Sequence, residues 1–183
     1  VLNLSVDITP AKLFQADQLG TEQSEESGCS RTYDVWENKR IHPIDISVSH
    51  ERYASGDIHL SWPLPDNHKL VMQQRKTVAK YMDVIVCMTE VANTTKNART
   101  LAGYGNPGIH RPTPYGVEYK TPSNFWLHSH DQRKWIFNTS IKIINDVRGA
   151  TLAWSTSMDR YRTTVQNIRH TWSADDANDV LSN

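Results

Sequence analysis

The chain has 183 residues, a length that suits one domain better than two. Apolar residues make up 38% and mean hydropathy is −0.60, and no apolar run approaches the roughly 18 residues of a membrane-spanning helix. A helical membrane span is therefore excluded, and no membrane partner is expected. Formal net charge is zero but unevenly spread: residues 1–30 carry one base and five acids, residues 173–183 three acids, and residues 31–172 the remaining 19 bases and 12 acids. A body of +7 between two acidic ends suits an anionic partner or a solvated basic face.

Residues 1–30 show no clean period, and "EQSEESGCS" reads as a polar stretch, so the segment is expected to be an extended arm with at most a short helical piece. Cys29 and Cys87 fit no zinc spacing and are too few for a disulfide framework. The sequons at Asn3, Asn93 and Asn138 matter only in a secreted chain. "RTYDVWENKR" interleaves bases and aromatics, making Arg31, Lys39 and Arg40 candidates for phosphate contacts, although acids are interleaved too.

From residue 31 the pattern suggests strands. "IDISVSHERY" sets Ile44, Ile46 and Val48 on one face, and "GDIHLSWPL" alternates Ile58, Leu60 and Trp62 before Pro63 and Pro65 end it. Val71–Tyr81 is the one decent helical candidate, either a short connecting helix or two strand ends. "KYMDVIVCMTEV" is apolar and β-branched on both faces, as a buried sandwich strand would be, and makes Cys87 a buried free thiol. Residues 92–124 hold four Gly and four Pro and read as a long loop with one short strand at "GVEY". Its "GYGNPGIHRPTPYGVEY" makes Tyr104, Pro107, His110, Pro114 and Tyr115 candidates for an inter-subunit contact. "KWIFNTSIKII", "ATLAWSTS" and "RYRTTVQNIRHTW", with its Tyr161, Thr163, Val165 alternation, complete about seven strands. The expected fold is all-β, an antiparallel jelly-roll sandwich over residues 31–172, with an arm at 1–30 and an acidic tail at 173–183.

"FWLHSHDQRKW" poses the sharpest chemical question, because on a strand His128 and His130 share a face. A metal-binding jelly roll of the cupin sort needs a carboxylate about four or five residues further on, where this chain has Lys134 and Trp135. No nucleophile elbow or phosphate-cradling loop is present, and no paired carboxylates stand out. No cofactor, no metal and no catalytic residue are expected.

Three strand texts resemble a family. "SHERYASGDIHLSWPL", through Tyr53, Ser55, Gly56, Ile58 and Leu60, "YMDVIVCM", and the run "KWIFNTSIKII" to "NIRHTW" resemble the coat proteins of picorna-like plant viruses of the secovirus or cheravirus type. The resemblance covers roughly residues 40–172, rests on strand order and texture, and includes no diagnostic motif. It implies a jelly-roll subunit of an icosahedral virion, assembled in the host cytoplasm with two companion coat proteins around single-stranded RNA. It also implies release from a polyprotein, with which Val1 agrees, and it supplies no catalytic residue. Two other classes stay open: a lectin-like module using Trp126, Trp135 and the "NARTLAGYGN" loop, and a viral matrix or movement protein.

Overall fold

The computed structural model describes residues 7–25, 32–42, 46 and 49–183. Helix accounts for 54% and strand for 15%, so the fold is mixed α/β and the all-β jelly roll is overturned. The elements run β1 (Ala11–Leu13), a 3₁₀ turn (Ala16–Leu19), α1 (Glu22–Glu25), β2 (Thr32–Asp34), β3 (Lys39–Ile41), β4 (Glu51–Tyr53) and β5 (Ile58–Ser61). There follow α2 (His68–Met82), a π-helical segment (Asp83–Cys87), α3 (Met88–Asn93), α4 (Ala98–Leu101), β6 (Ile109–Thr113), β7 (Gly116–Tyr119) and a second 3₁₀ turn (Asn124–Leu127). Four helices end the chain: α5 (His130–Gly149), α6 (Thr151–Asp159), α7 (Arg162–Thr171) and α8 (Ala174–Ser182).

The centre is the continuous helical run of α2, the π segment and α3. It starts where Asn67 accepts the Leu70 N–H at 3.1 Å, satisfying one of the donors a first turn leaves open. Val78, Ala79, Met82, Val84, Val86, Cys87, Met88 and Val91 along it are all buried. That burial is why "DVIVCM" looks like a sandwich strand in sequence: a helix covered on nearly all sides loses its polar face and with it the 3.6-residue signature.

One side of this run meets an antiparallel sheet of order β3-β2-β6-β7-β5. Ile58 pairs with Tyr119 and Leu60 with Val117, which places their side chains on the helix-facing side. On the alternate positions Arg111, Glu118 and His59 stand side by side. There the buried Glu118 carboxylate accepts from Arg111 Nε at 2.5 Å and from Lys120 Nζ at 3.0 Å, so the charge is paired where it is desolvated. A separate ribbon joins β1 and β4.

The other side of the run is covered by α5 and α6 against α2, and by α8 against α3. Here the predicted strands fail one by one. "KWIFNTSIKII" lies in α5, whose buried residues are Ile136, Ser140, Ile143, Ile144 and Val147, a helical spacing. "ATLAWSTS" is α6. "RYRTTVQNIRHTW" is α7, with Tyr161, Val165, Ile168 and Trp172 buried at helical spacing, so the alternation of Tyr161, Thr163 and Val165 was incidental. α7 ends at Trp172, in the left-handed region at φ 53°, with its buried indole N–H donating to Thr94 Oγ1 at 3.4 Å. The acidic segment expected to trail as a tail forms α8, docked through Ala177 and Val180.

The sequence reading placed several elements correctly. Val71–Tyr81 falls inside α2, "GVEY" is β7, and Ile58 and Leu60 alternate inward on β5 with Trp62 buried just after it. Of the proposed strand at "IDISVSHERY", residues 44–45 and 47–48 lie outside the described residues; Ile46 is buried.

Candidate functional site

The π segment opens on Asp83, a carboxylate with no solvent exposure. Trp36 Nε1 donates to one oxygen at 2.5 Å, and Tyr119 OH donates to the other at 2.6 Å with Thr121 Oγ1 at 3.3 Å. Burial pushes this carboxyl up to about 6; the Tyr119 and Trp36 bonds, the Gly108 N–H and the charge of Arg169 oppose the shift without cancelling it. Burial likewise holds the Tyr119 hydroxyl and the Cys87 thiol well above their ordinary values, so Cys87 is no nucleophile.

Arg169, in the last turn of α7, continues the network. Its Nη1 donates to Asp34 Oδ2 at 2.6 Å and Glu37 Oε1 at 2.9 Å, and its Nη2 to the Pro107 carbonyl at 2.7 Å. Asp34 Oδ1 accepts the N–H groups of Trp36 at 2.8 Å and Glu37 at 3.0 Å, closing the turn between β2 and β3. Gly108 makes this convergence possible: at φ +97° it takes a backbone conformation open to glycine, and a Cβ there would sit 2.8 Å from Asp34 Oδ1 and 2.9 Å from Arg169 Nη2. The β2–β3 hairpin, the 103–108 loop and the end of α7 are thus pinned to one another and to the helical centre.

Between them opens a cleft of about 440 Å³, lined among others by Lys39, Ile41, Lys96, Asn106, Ile109 and Arg169. Basic side chains gather around the hairpin. Lys39 pairs with Glu37, Lys76 Nζ reaches Asn38 Oδ1 at 2.5 Å, and Arg162 donates to the Trp36 carbonyl. Lys96 Nζ donates to the His170 carbonyl at 3.0 Å. Among the described residues no acid pairs with Arg40 or Lys96. Among the described residues, six bases (Lys39, Arg40, Lys76, Lys96, Arg162, Arg169) therefore stand around the hairpin with three acids (Asp34, Glu37, Asp159).

Of the residues singled out from sequence, Lys39 lines this cleft, Arg40 stands opposite Tyr33 on the edge strand, and Arg31 lies outside the described residues. The loop candidates separate. Tyr104 is half-buried, packed on Tyr53 at 5.7 Å between ring centroids and against the Arg99 guanidinium at 5.3 Å. Pro107 is buried, and so is His110, whose Nδ1 lies 3.1 Å from the Gly108 carbonyl and whose burial lowers its pKa. Pro114 and Tyr115 are exposed at the β6–β7 turn, where the Tyr115 hydroxyl and His59 Nδ1 share a hydrogen bond of 2.8 Å.

His128 and His130 are not on a strand: one follows the 3₁₀ turn, the other opens α5, and both are exposed. Among the described residues no three of His, Cys, Asp and Glu group as metal ligands do. Sequence reasoning missed Lys96, Arg169 and Asp83. The first two come from distant segments and carry no local signal. Asp83 did carry one: a lone acid inside an apolar run has to be partnered if the run is buried.

The chain matches no known protein family, no curated protein and no solved structure.

Proposed function

We propose that the chain is a non-enzymatic, coat-type structural subunit that contacts the backbone of single-stranded RNA along the β2–β3 hairpin and assembles with companion chains. The observation that carries this reading is the excess of bases over acids around the hairpin among the described residues, with Lys39 and Lys96 lining the cleft and Arg40 on the opposite face of β3. The +7 balance of residues 31–172 supports it. A fixed array of cations on a pinned hairpin suits phosphates repeated along a strand, and reads no sequence by itself. Assembly is supported by apolar side chains left exposed on α5 and α6, where Phe137 is 65%, Ile141 45% and Leu152 70% exposed. The jelly-roll route to this function is gone; the charge and the exposed apolar side chains are what remain for it.

Anisotropy titration of a labelled single-stranded RNA across a salt series tests the RNA half. Wild-type affinity should fall steeply with salt, and Lys39→Ala with Lys96→Ala should flatten the log–log slope by about 0.7 per lost contact. Lys134→Ala on α5 should leave it unchanged. Equal slopes for wild type and the double variant would refute the placement.

A further inference from the structure

A second cavity, of about 330 Å³, lies between α2 and α6, lined by His68, Lys69, Lys76 and Lys80 among others from α2 and by Ser155 from α6. We infer that it binds a phosphate monoester.

His68, Met72, Lys76 and Lys80 recur every four residues and so share one face of α2, beside Lys69 and Gln73. No Asp or Glu occurs anywhere in His68–Met82, and none lines the cavity. Helix stability does not ask for this arrangement. Lys76 and Lys80 are like charges one turn apart, and His68 and Lys69 stand in the first turn, where the helix dipole disfavours cations. Local costs gathered on one face are expected where a binding site overrides local preference.

The packing of α2 and α6 fixes the back of the cavity. Lys80 is buried, with Nζ donating to Asp159 Oδ1 at 2.5 Å and lying 5.5 Å from the centroid of the Trp36 ring. Trp154 of α6 stacks on Tyr81 of α2 at 4.6 Å between centroids, which holds Ser155 beside the lysine row. Lys76 Nζ donates to Asn38 Oδ1 at 2.5 Å. An ammonium carries three donors, so Lys76 and Lys80 each keep two. The side chains of His68, Lys69, Gln73 and Ser155 have no hydrogen-bond or ion-pair partner among the described residues, and each can donate.

Charge selects the ligand. Three lysines less the one Asp159 carboxylate, which Arg162 shares, leave about +2 around the cavity. A phosphate monoester carries about −1.5 to −2 at neutral pH on three acceptor oxygens, so it balances the face and takes up the open donors. A diester brings a single charge and balances about half of it. A cation would meet three ammonium groups. Met72 is the one apolar side chain in the lining, which leaves little for an apolar ligand.

The test follows backbone amides by NMR while ribose 5-phosphate is titrated at constant ionic strength, with ribose as the neutral control and dimethyl phosphate as the diester control. Expected are saturable shifts within residues 68–80 and at 155, none with ribose, and binding of dimethyl phosphate at least about tenfold weaker. Lys69→Gln with Lys76→Gln should weaken ribose 5-phosphate at least about tenfold, and Lys134→Ala should leave it unchanged. Lys69→Gln alone, at an exposed position, should weaken it in the same direction should the double variant not fold. One short RNA carrying either a 5′-phosphate or a 5′-hydroxyl separates the sources of the group. Tighter binding of the phosphorylated form, lost in the lysine variant, assigns an RNA end; equal binding of the two assigns a small-molecule phosphate. No saturable shift with ribose 5-phosphate, shifts confined to the hairpin cleft, equal binding of ribose or dimethyl phosphate, or undiminished binding in the variants would overturn the site. Lys76 also belongs to the bases around the hairpin, but binding of ribose 5-phosphate does not depend on RNA contact there, so either reading can fail without the other.

Discussion

Replacing Asp83 by Asn probes the buried network at the π segment. The carboxyl sits at about 6 in the folded chain against an ordinary 3.8. A raised carboxyl favours the protonated form, so the stability it contributes is complete below pH 3.8 and is lost as pH rises through 6. That gap corresponds to about 3 kcal/mol, of which about 2 kcal/mol falls between pH 4 and pH 7. Asn cannot ionise, so the variant lacks this dependence. It carries a different cost. Trp36 Nε1 can only donate, so the amide oxygen turns to it and Tyr119 OH loses the acceptor it has at 2.6 Å. A buried hydroxyl without an acceptor costs about 1–3 kcal/mol. Urea unfolding of both proteins, followed by tryptophan fluorescence, should show wild type the more stable at pH 4, with the gap shrinking by about 2 kcal/mol by pH 7. The other carboxylates are common to both and cancel in the difference. A gap that stays constant across this range would refute the reasoning, because Asp83 would then not titrate as a desolvated carboxyl.

Three further outcomes are expected. Val86→Asp, which buries an unpaired carboxylate at a site with no exposure, should give no cooperative unfolding transition by circular dichroism; a folded variant would contradict the position of the central helix. His128→Ala with His130→Ala should leave stability within about 0.5 kcal/mol, since the His130 side chain is 81% exposed and His128 lies at the surface; a large loss in thermal melts would reveal a structural role. Gly105→Ala should cost roughly 2 kcal/mol or more in chemical denaturation, because Gly105 sits at φ +70° and its new methyl would press on the Arg99 guanidinium; an unchanged midpoint would show that the loop yields.

What the sequence revealed follows from where each segment lies. β5 has one face on the core and one outside, so Ile58 and Leu60 announce themselves by alternation. α2 begins with an exposed face that shows its period, and "VMQQRKTVAKY" stood out as a helical candidate, with two strand ends as the alternative. The same helix then passes under the sheet and the C-terminal helices, and from Asp83 onward its composition carries no period. Length was the clue left unused: α2, "DVIVCM" and α3 are contiguous, without a Gly or Pro between His68 and Asn93, which favours one long helix over a helix and a strand. In α5 and α7, β-branched residues outweighed the spacing of Ile136, Ser140, Ile143 and Val147 and of Tyr161, Val165 and Ile168. Of the residues lining the hairpin cleft, Lys39 was named from the sequence, as a candidate phosphate contact among interleaved aromatics and bases. Arg169 and Lys96 were not, since only the docking of α7 and the loop after α3 brings them to the hairpin.

The proposed RNA contact is tested most directly by photo-crosslinking the protein to a 4-thiouridine-substituted single-stranded RNA and mapping the linked peptides by mass spectrometry. The account predicts crosslinks within residues 39–41, 96–106 and 169–170, around the cleft. Crosslinks confined to α5 and α6, or none above a protein-free background, would contradict it.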